Sequence, residues 1–183
     1  MGNQQSVGWA SVAALDRDEV INAWVESWKQ IYRDFSHVDL RLAKAQTRES
    51  LFRDEIEKHL KHRTTRRFAI YKTDSVFGYA IVRERTDEKT KQPFVQVYGL
   101  VIKPFTNSNA RTVARALANF IRAEYPEHEF RGMVRAVNER GKILYKWLGA
   151  TKCEDWHDEE YDEFHLPLRI PSTIAKDALE KKE

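Results

Sequence analysis

Near the start of the chain, apolar residues recur every three or four positions, which is the period of an amphipathic α-helix. The first stripe follows Asp16 and Glu19, whose spacing is typical of a helix N-cap pair, and a second stripe follows Thr47. Two helices are therefore expected. Their apolar faces comprise Val20, Ile21, Trp24, Val25, Trp28, Ile31 and Tyr32 in the first, and Leu51, Phe52, Ile56 and Leu60 in the second.

After residue 67 the apolar pattern shortens to the period of a β-strand. Val, Ile, Tyr and Phe are concentrated in short runs that polar turns separate, which predicts strands. A helix follows, with apolar positions at helical spacing, and it ends before Pro126. The expected order is strands at 68–71, 76–84 and 94–102, a helix at 110–123, a strand at 130–137, a helix at 138–149, and strands at 151–156 and 163–168.

This order of elements predicts the fold class. Two helices, a three-stranded meander and a β-α-β-α-β-β series form an α/β (α+β) domain with a mixed, mostly antiparallel sheet flanked by helices. The sequence has no internal repeat and no low-complexity linker, so a single domain is expected over residues 16–170. Residues 1–15 are predicted to be an N-terminal arm, and residues 171–183 a polar C-terminal tail.

Composition limits the classes of partner that we expect for this protein. The 183 residues are 42% hydrophobic and 32% charged, which suits a globular protein with a core. No apolar run reaches the roughly 20 residues of a membrane span, so no membrane partner is expected. The net charge of +3 is too small to indicate nucleic acid.

Metal chemistry is not expected either. Cys153 is the single cysteine, so an internal disulfide is impossible, and no Cys/His cluster has zinc-site spacing. Cys153 is expected to be an ordinary strand residue, and His165 has no recognisable partner in the sequence.

The segment at 137–150 contains the candidate catalytic residues. An extended run reaches Asn138, and a short helix then bears Leu144 and Tyr145 and stops at Gly149. The segment resembles the last strand-to-helix unit of the GNAT N-acetyltransferase superfamily, N-x-x-A-x-x-L-Y-x-x-x-G-F, with Gly141 in place of its Ala and Ala150 in place of its Phe. The resemblance implies that the Asn and Tyr flank the thioester of acetyl-CoA. It makes Asn138 and Tyr145 the catalytic residues of an active enzyme, with Tyr145 protonating the leaving thiolate.

The phosphate-binding loop of that superfamily is altered here. Its Q/R-x-x-G-x-G/A motif falls on Asn107, Ala110 and Thr112, and no glycine occurs between Leu100 and Arg131. Glycines allow backbone N–H groups at a helix N-terminus to approach a pyrophosphate closely. In an active enzyme the resemblance places the cofactor on Leu100, Val101, Ile102, Asn107, Ala110, Arg111 and Thr112. Asn107 and Ser108 are instead good N-caps for an ordinary helix.

A general base for the acceptor amine is also missing from its usual place. Many GNAT enzymes carry a Glu on the strand before the loop, where this chain has Gln96, which accepts no proton at neutral pH. Tyr98 and Glu84 are possible substitutes.

These observations favour a GNAT-fold protein with a degenerate loop, no bound cofactor and a structural or binding role. It is most similar to the GNAT-like proteins of tailed bacteriophages, which also carry a strand like that at 76–80. That resemblance implies a virion or host-cytoplasm setting and other protein chains as partners, copies of itself included. The alternative is an active acetyl-CoA-dependent N-acetyltransferase. A nucleic-acid role for the basic run at 58–67 ranks last, because the run lacks aromatic residues and the segment at 154–163 is acidic.

Overall fold

The structure is a computed structural model that describes residues 6–35, 49–61, 67–154, 159 and 161–166. Thr47 and the predicted tail at 171–183 lie outside the described residues. The elements are β1 (Ser6–Ala10), α1 (Arg17–Phe35), α2 (Glu49–Lys61), β2 (Arg67–Lys72), β3 (Phe77–Thr86), β4 (Pro93–Lys103), α3 (Asn107–Glu124), β5 (Glu129–Arg135), α4 (Glu139–Trp147), β6 (Thr151–Lys152) and β7 (Tyr161–Leu166), with a short 3-10 helix over Val12–Ala14.

The strands form one seven-stranded sheet in the order β1-β2-β3-β4-β5-β7-β6. β4 and β5 are parallel, and the other neighbouring strands are antiparallel. The expected mixed, mostly antiparallel sheet is therefore confirmed.

Helices cover both faces of the sheet, because successive strand residues point to opposite sides. One core packs α3 and α4 on the sheet through Val82, Val95, Val97, Val113, Leu117, Ile121, Tyr145 and Phe164. The other packs α1 and α2 on the opposite face through Val20, Trp24, Phe52, Ile56, Leu60, Phe68, Tyr79 and Ile81. The predicted capping pair of α1 is confirmed, since the Glu19 amide donates to Asp16 Oδ1 at 3.0 Å.

Part of the predicted N-terminal arm belongs to the sheet. Ser6–Ala10 forms β1, which pairs antiparallel with β2. The Trp9 ring lies 5.1 Å from the Phe120 ring, and its Nε1 donates to Glu124 Oε2 at 2.9 Å. The sequence did not predict this strand, because its alternation of apolar and small or polar residues consists of Val7 and Trp9 alone. Two positions are too few to distinguish a strand from an arm.

An irregularity in β4 shapes the middle of the sheet. Ile81 pairs with Gly99 and Val82 with Val97, so Tyr98 is an extra residue, which is a β-bulge. The parallel pairing of β4 with β5 ends at Val97 and Gly132. β4 and β5 therefore separate beyond this point and open a gap in the sheet.

No helix among the described residues is both long and apolar enough to cross a membrane.

Candidate functional site

A cleft of about 350 Å³ lies where β4 and β5 separate. Its walls are the end of β4, the end of β5, one face of α1, residues 104 and 105, and the first part of α4. This volume is within the range of roughly 300–1,000 Å³ that is typical of small-molecule sites. Of the predicted site residues, the structure brings together Leu100, Val101, Ile102, Asn138 and Tyr145 in the lining of this cleft.

Tyr145 packs at the point where the two strands part. Its ring stacks on Phe164 with centroids 5.6 Å apart and planes at 10°. The ring also covers Gly132, where a Cβ atom would lie 2.5 Å from Cζ and 2.8 Å from the hydroxyl oxygen of Tyr145. Burial raises the pKa of the Tyr145 phenol, which keeps the hydroxyl protonated at neutral pH. Tyr145 is therefore suited to donating a proton.

Asn138 caps α4 as the sequence predicts. Its Oδ1 accepts a hydrogen bond from the Gly141 amide at 2.9 Å. A Cβ atom at Gly141 would lie 2.9 Å from Asn138 Nδ2. The glycine that replaces the superfamily's Ala therefore allows the Asn138 side chain to lie close to the helix backbone.

The start of α3 differs from the prediction. The helix begins at Asn107, and its N-cap is Thr106, whose Oγ1 accepts from the Asn109 amide at 3.1 Å. The Thr106 carbonyl accepts from the Ala110 amide at 2.8 Å. The first-turn amides that the cap does not use are those of Asn107 and Ser108.

The other predicted cofactor contacts lie outside the cleft lining. Asn107, Ala110, Arg111 and Thr112 are not among the residues that line the cleft, and Ala110 is buried in the core.

Among the residues lining the cleft, the charged side chains are Glu26, Lys103, Arg135 and Arg140. Lys103 Nζ lies 3.1 Å from Glu26 Oε2. The Arg140 guanidinium lies 5.6 Å from the ring centre of Phe105, and that of Arg135 lies 4.8 Å from the Trp28 ring. Cationic groups outnumber carboxylates, so this lining favours an anionic ligand.

Sequence reasoning did not assign a role to Arg135 or Arg140. Both stand within three residues of Asn138, so a basic residue on each side of this motif was the available signal.

Gln96 is buried and belongs to a polar network. Arg85 donates to Gln96 Oε1 and to the Tyr98 hydroxyl, each at 3.3 Å, and Gln96 Nε2 lies 3.5 Å from Glu163 Oε2. Of the two substitutes suggested for the missing base, Tyr98 lines the cleft, whereas Glu84 is exposed outside its lining.

Comparisons with known proteins bear on the fold. The sequence matches no family model, and it matches no curated protein. Among solved structures, it is similar to PaiA N-acetyltransferase of Thermoplasma acidophilum in complex with coenzyme A, with 17% identity, TM-score 0.58, and coverage of 90% of this chain and 99% of that one. The chain has the GNAT fold.

Two further acetyltransferase structures support the GNAT fold. The aminoglycoside N(6')-acetyltransferase of Legionella pneumophila matches with 13% identity and TM-score 0.57 over 97% of this chain and 98% of that one. A histone acetyltransferase HPA2 and related acetyltransferase of Corynebacterium glutamicum matches with 17% identity and TM-score 0.55 over 92% and 98%. At such identities the similarity establishes the fold and leaves the activity to be argued from the cleft.

Proposed function

We propose that this protein is an acetyl-CoA-dependent N-acetyltransferase. The observation that carries the proposal is the open cleft between β4 and β5, with Tyr145 packed against Gly132 where the strands part. The altered loop at 107–112 argued against an enzyme, but side chains do not fill this cleft. In the solved structure of the Thermoplasma PaiA N-acetyltransferase, a protein of the same fold holds coenzyme A.

The residues of the cleft fit acetyl-CoA, which would supply an activated thioester. Beyond Val97, β4 has no register partner in β5 in the described sheet, so this edge can pair with the amide groups of an extended ligand. Leu100, Val101 and Ile102 lie along that edge. Lys103 and Arg140 of the lining would bind the phosphates. The Asn107 and Ser108 amides, which begin α3 two residues after Phe105 of the lining, would contribute without the usual glycines.

Proton transfer would involve two tyrosines of the cleft, Tyr145 on α4 and Tyr98 at the bulge in β4. Tyr145 holds its proton at neutral pH because burial raises the pKa of its phenol, and it would donate that proton to the leaving thiolate. Tyr98 lines the cleft and would face the incoming amine. Asn138 would orient the substrate while keeping α4 capped.

Calorimetry with acetyl-CoA tests the proposal. A micromolar dissociation constant is expected, and Arg140→Glu is expected to weaken it by at least about tenfold, or 1.4 kcal/mol. Lys146→Glu is the matched control, because Lys146 is also exposed on α4 but does not line the cleft. Wild-type protein that shows no binding at millimolar acetyl-CoA would overturn the proposal.

A second candidate is a non-catalytic structural or binding domain. It is favoured by the Thr106 cap, whose side chain takes the Asn109 amide of the first turn of α3, and by the absence of glycine between Leu100 and Arg131. In that case acetyl-CoA does not bind and other protein chains are the partners. A bacteriophage virion or its assembly is the setting that the sequence resemblance suggests, and it stays a prediction.

A further inference from the structure

We propose that Cys153, Glu163 and His165 form a zinc-binding site at the β6–β7 edge of the sheet. Sequence spacing does not indicate this set, because nine residues separate Cys153 from Glu163. In the structure the Cys153 amide donates to the Glu163 carbonyl at 2.8 Å, which places these two residues opposite each other across the strands. His165 follows Glu163 by two residues on β7, so its side chain is on the same face.

The three ligand atoms are already close together. The Cys153 thiol, a Glu163 carboxylate oxygen and a His165 ring nitrogen all lie within 4.8 Å of one another. His165 Nε2 lies 3.0 Å from Glu163 Oε1. Bonds of about 2.0–2.3 Å in a tetrahedral zinc site hold ligand atoms roughly 3.3–3.6 Å apart. Small side-chain movements would therefore complete the coordination.

On its Nδ1 side, His165 has the carboxylate partner that is typical of a metal-bound imidazole. Its Nδ1 lies 2.7 Å from Glu129 Oε1, so a carboxylate fixes one ring nitrogen while Nε2 faces Glu163. A carboxylate on the far nitrogen orients histidine ligands and raises their basicity in zinc sites. Glu163 is held similarly, because its Oε2 lies 3.5 Å from Gln96 Nε2 and its Oε1 is the atom nearest His165.

The charge around the site also favours a cation. The Arg131 guanidinium lies beside the site, but its NH2 is 2.8 Å from Asp87 and 2.7 Å from Glu129. Its NH1 is 3.9 Å from Glu163, beyond hydrogen-bonding distance. Three carboxylates thus surround one guanidinium and one imidazole, and a divalent cation would offset the negative charge that remains.

The donor types indicate which metal would bind. A thiolate, an imidazole and a carboxylate together suit zinc better than magnesium or calcium, which take oxygen ligands. With three protein ligands from the part of the chain that the structure describes, one tetrahedral position is left for water. Cys153, Glu163 and His165 do not line the β4–β5 cleft, so this site is separate from the one proposed for acetyl-CoA.

Titration of tag-free, reduced protein with Co²⁺ and then Zn²⁺ tests the site. The wild type is expected to show a thiolate-to-cobalt charge-transfer band and to bind one zinc with a dissociation constant of about 1 µM or tighter. Cys153→Ser and His165→Gln are expected to weaken zinc binding at least tenfold, with Cys153→Ser also abolishing the band. Circular dichroism checks that each variant is folded.

His128→Gln is the matched control. His128 also contacts a glutamate, with Nε2 3.3 Å from Glu84 Oε1, but it does not belong to the proposed zinc site. Its zinc affinity should equal that of the wild type. Absence of the charge-transfer band in wild-type protein overturns the proposal by itself, even if a variant fails to fold. Unchanged zinc affinity in both ligand variants overturns it as well.

Discussion

The ring of Tyr145 lies directly on Gly132, the last residue of β5 that pairs with β4. The only side chain that fits beneath the ring at this position is a hydrogen atom. Phe164, the partner of Gly132 on β7, stacks on the same ring. The tyrosine of the sequence motif and the opening of the sheet are thus linked by one contact between a helix and a strand.

Gly132→Ala is expected to lower the free energy of unfolding by about 1–3 kcal/mol, which is typical of overpacking. The added Cβ atom would lie 2.5 Å from Tyr145 Cζ, so the ring must move. Urea denaturation followed by fluorescence measures the change. Gly8→Ala is the control, because a Cβ atom there meets nothing within 4 Å and its effect should stay within about 0.5 kcal/mol. Equal stabilities of the two variants would contradict this account of Tyr145 packing.

Tyr145→Phe separates packing from proton donation, because it removes only the hydroxyl. Folding and acetyl-CoA affinity are expected to stay close to those of the wild type, since the ring still stacks on Phe164. If Tyr145 donates a proton to the leaving thiolate, kcat should fall by about 10²–10⁴. Steady-state kinetics of thiol release, with calorimetry on the same samples, checks both expectations. An unchanged kcat would assign Tyr145 a structural role alone.

Thr106→Ala tests the cap that replaces the glycine-rich loop. Its loss removes the acceptor for the Asn109 amide and is expected to cost about 1 kcal/mol of folding free energy. Thr106→Ser keeps the oxygen and should retain most of that stability. Chemical denaturation of the three proteins side by side gives the answer, and a Ser variant as unstable as the Ala variant would show that the hydroxyl is not what stabilises α3.

Local patterns in the sequence were sufficient to predict much of this fold. The α1 and α2 stripes, the Asp16 cap and the Asn138 cap depend on residues three or four positions apart. The structure confirms both caps, and it confirms the stripes at the positions that it shows to be buried, which are Val20, Ile21, Trp24, Val25, Phe52, Ile56 and Leu60. The parallel pairing of β4 with β5 follows from the connecting helix α3. The stripes and caps are encoded within one or two helical turns of the chain, and the parallel pairing within one strand–helix–strand unit.

Features that depend on distant residues were not predictable from those patterns. The bulge at Tyr98 lies inside a continuous apolar run and changes no local periodicity. A Cβ atom at Gly99, beside the bulge, would lie 2.9 Å from Trp24 Cζ3, so the reason for this glycine is a helix 75 residues earlier in the chain. The meeting of Cys153 with His165 likewise arises from strand pairing, which sequence spacing does not reveal.

Acid stability should depend on Asp87, which directly follows β3 and begins the turn to β4. Its Oδ1 accepts from the Thr90 and Lys89 amides at 2.9 Å each, and its Oδ2 lies 2.8 Å from Arg131 NH2. The backbone hydrogen bond from Thr90, followed by the hydrogen bond from Arg131, holds the pKa of the Asp87 carboxyl well below its ordinary value. In the unfolded chain the pKa of Asp is about 3.9.

Because the pKa is lower in the folded state, the ionised carboxylate stabilises the fold above about pH 4, and this stabilisation is lost progressively as the pH falls below that value. Asp87→Asn should therefore be less stable than the wild type at neutral pH and should lose less stability on acidification. The measurement is the free energy of unfolding from pH 7 to pH 2. Asp74→Asn, at an exposed position in the turn between β2 and β3, is the control and should follow the wild-type curve. Parallel curves for the wild type and Asp87→Asn would show that Asp87 does not contribute to the acid sensitivity of the fold.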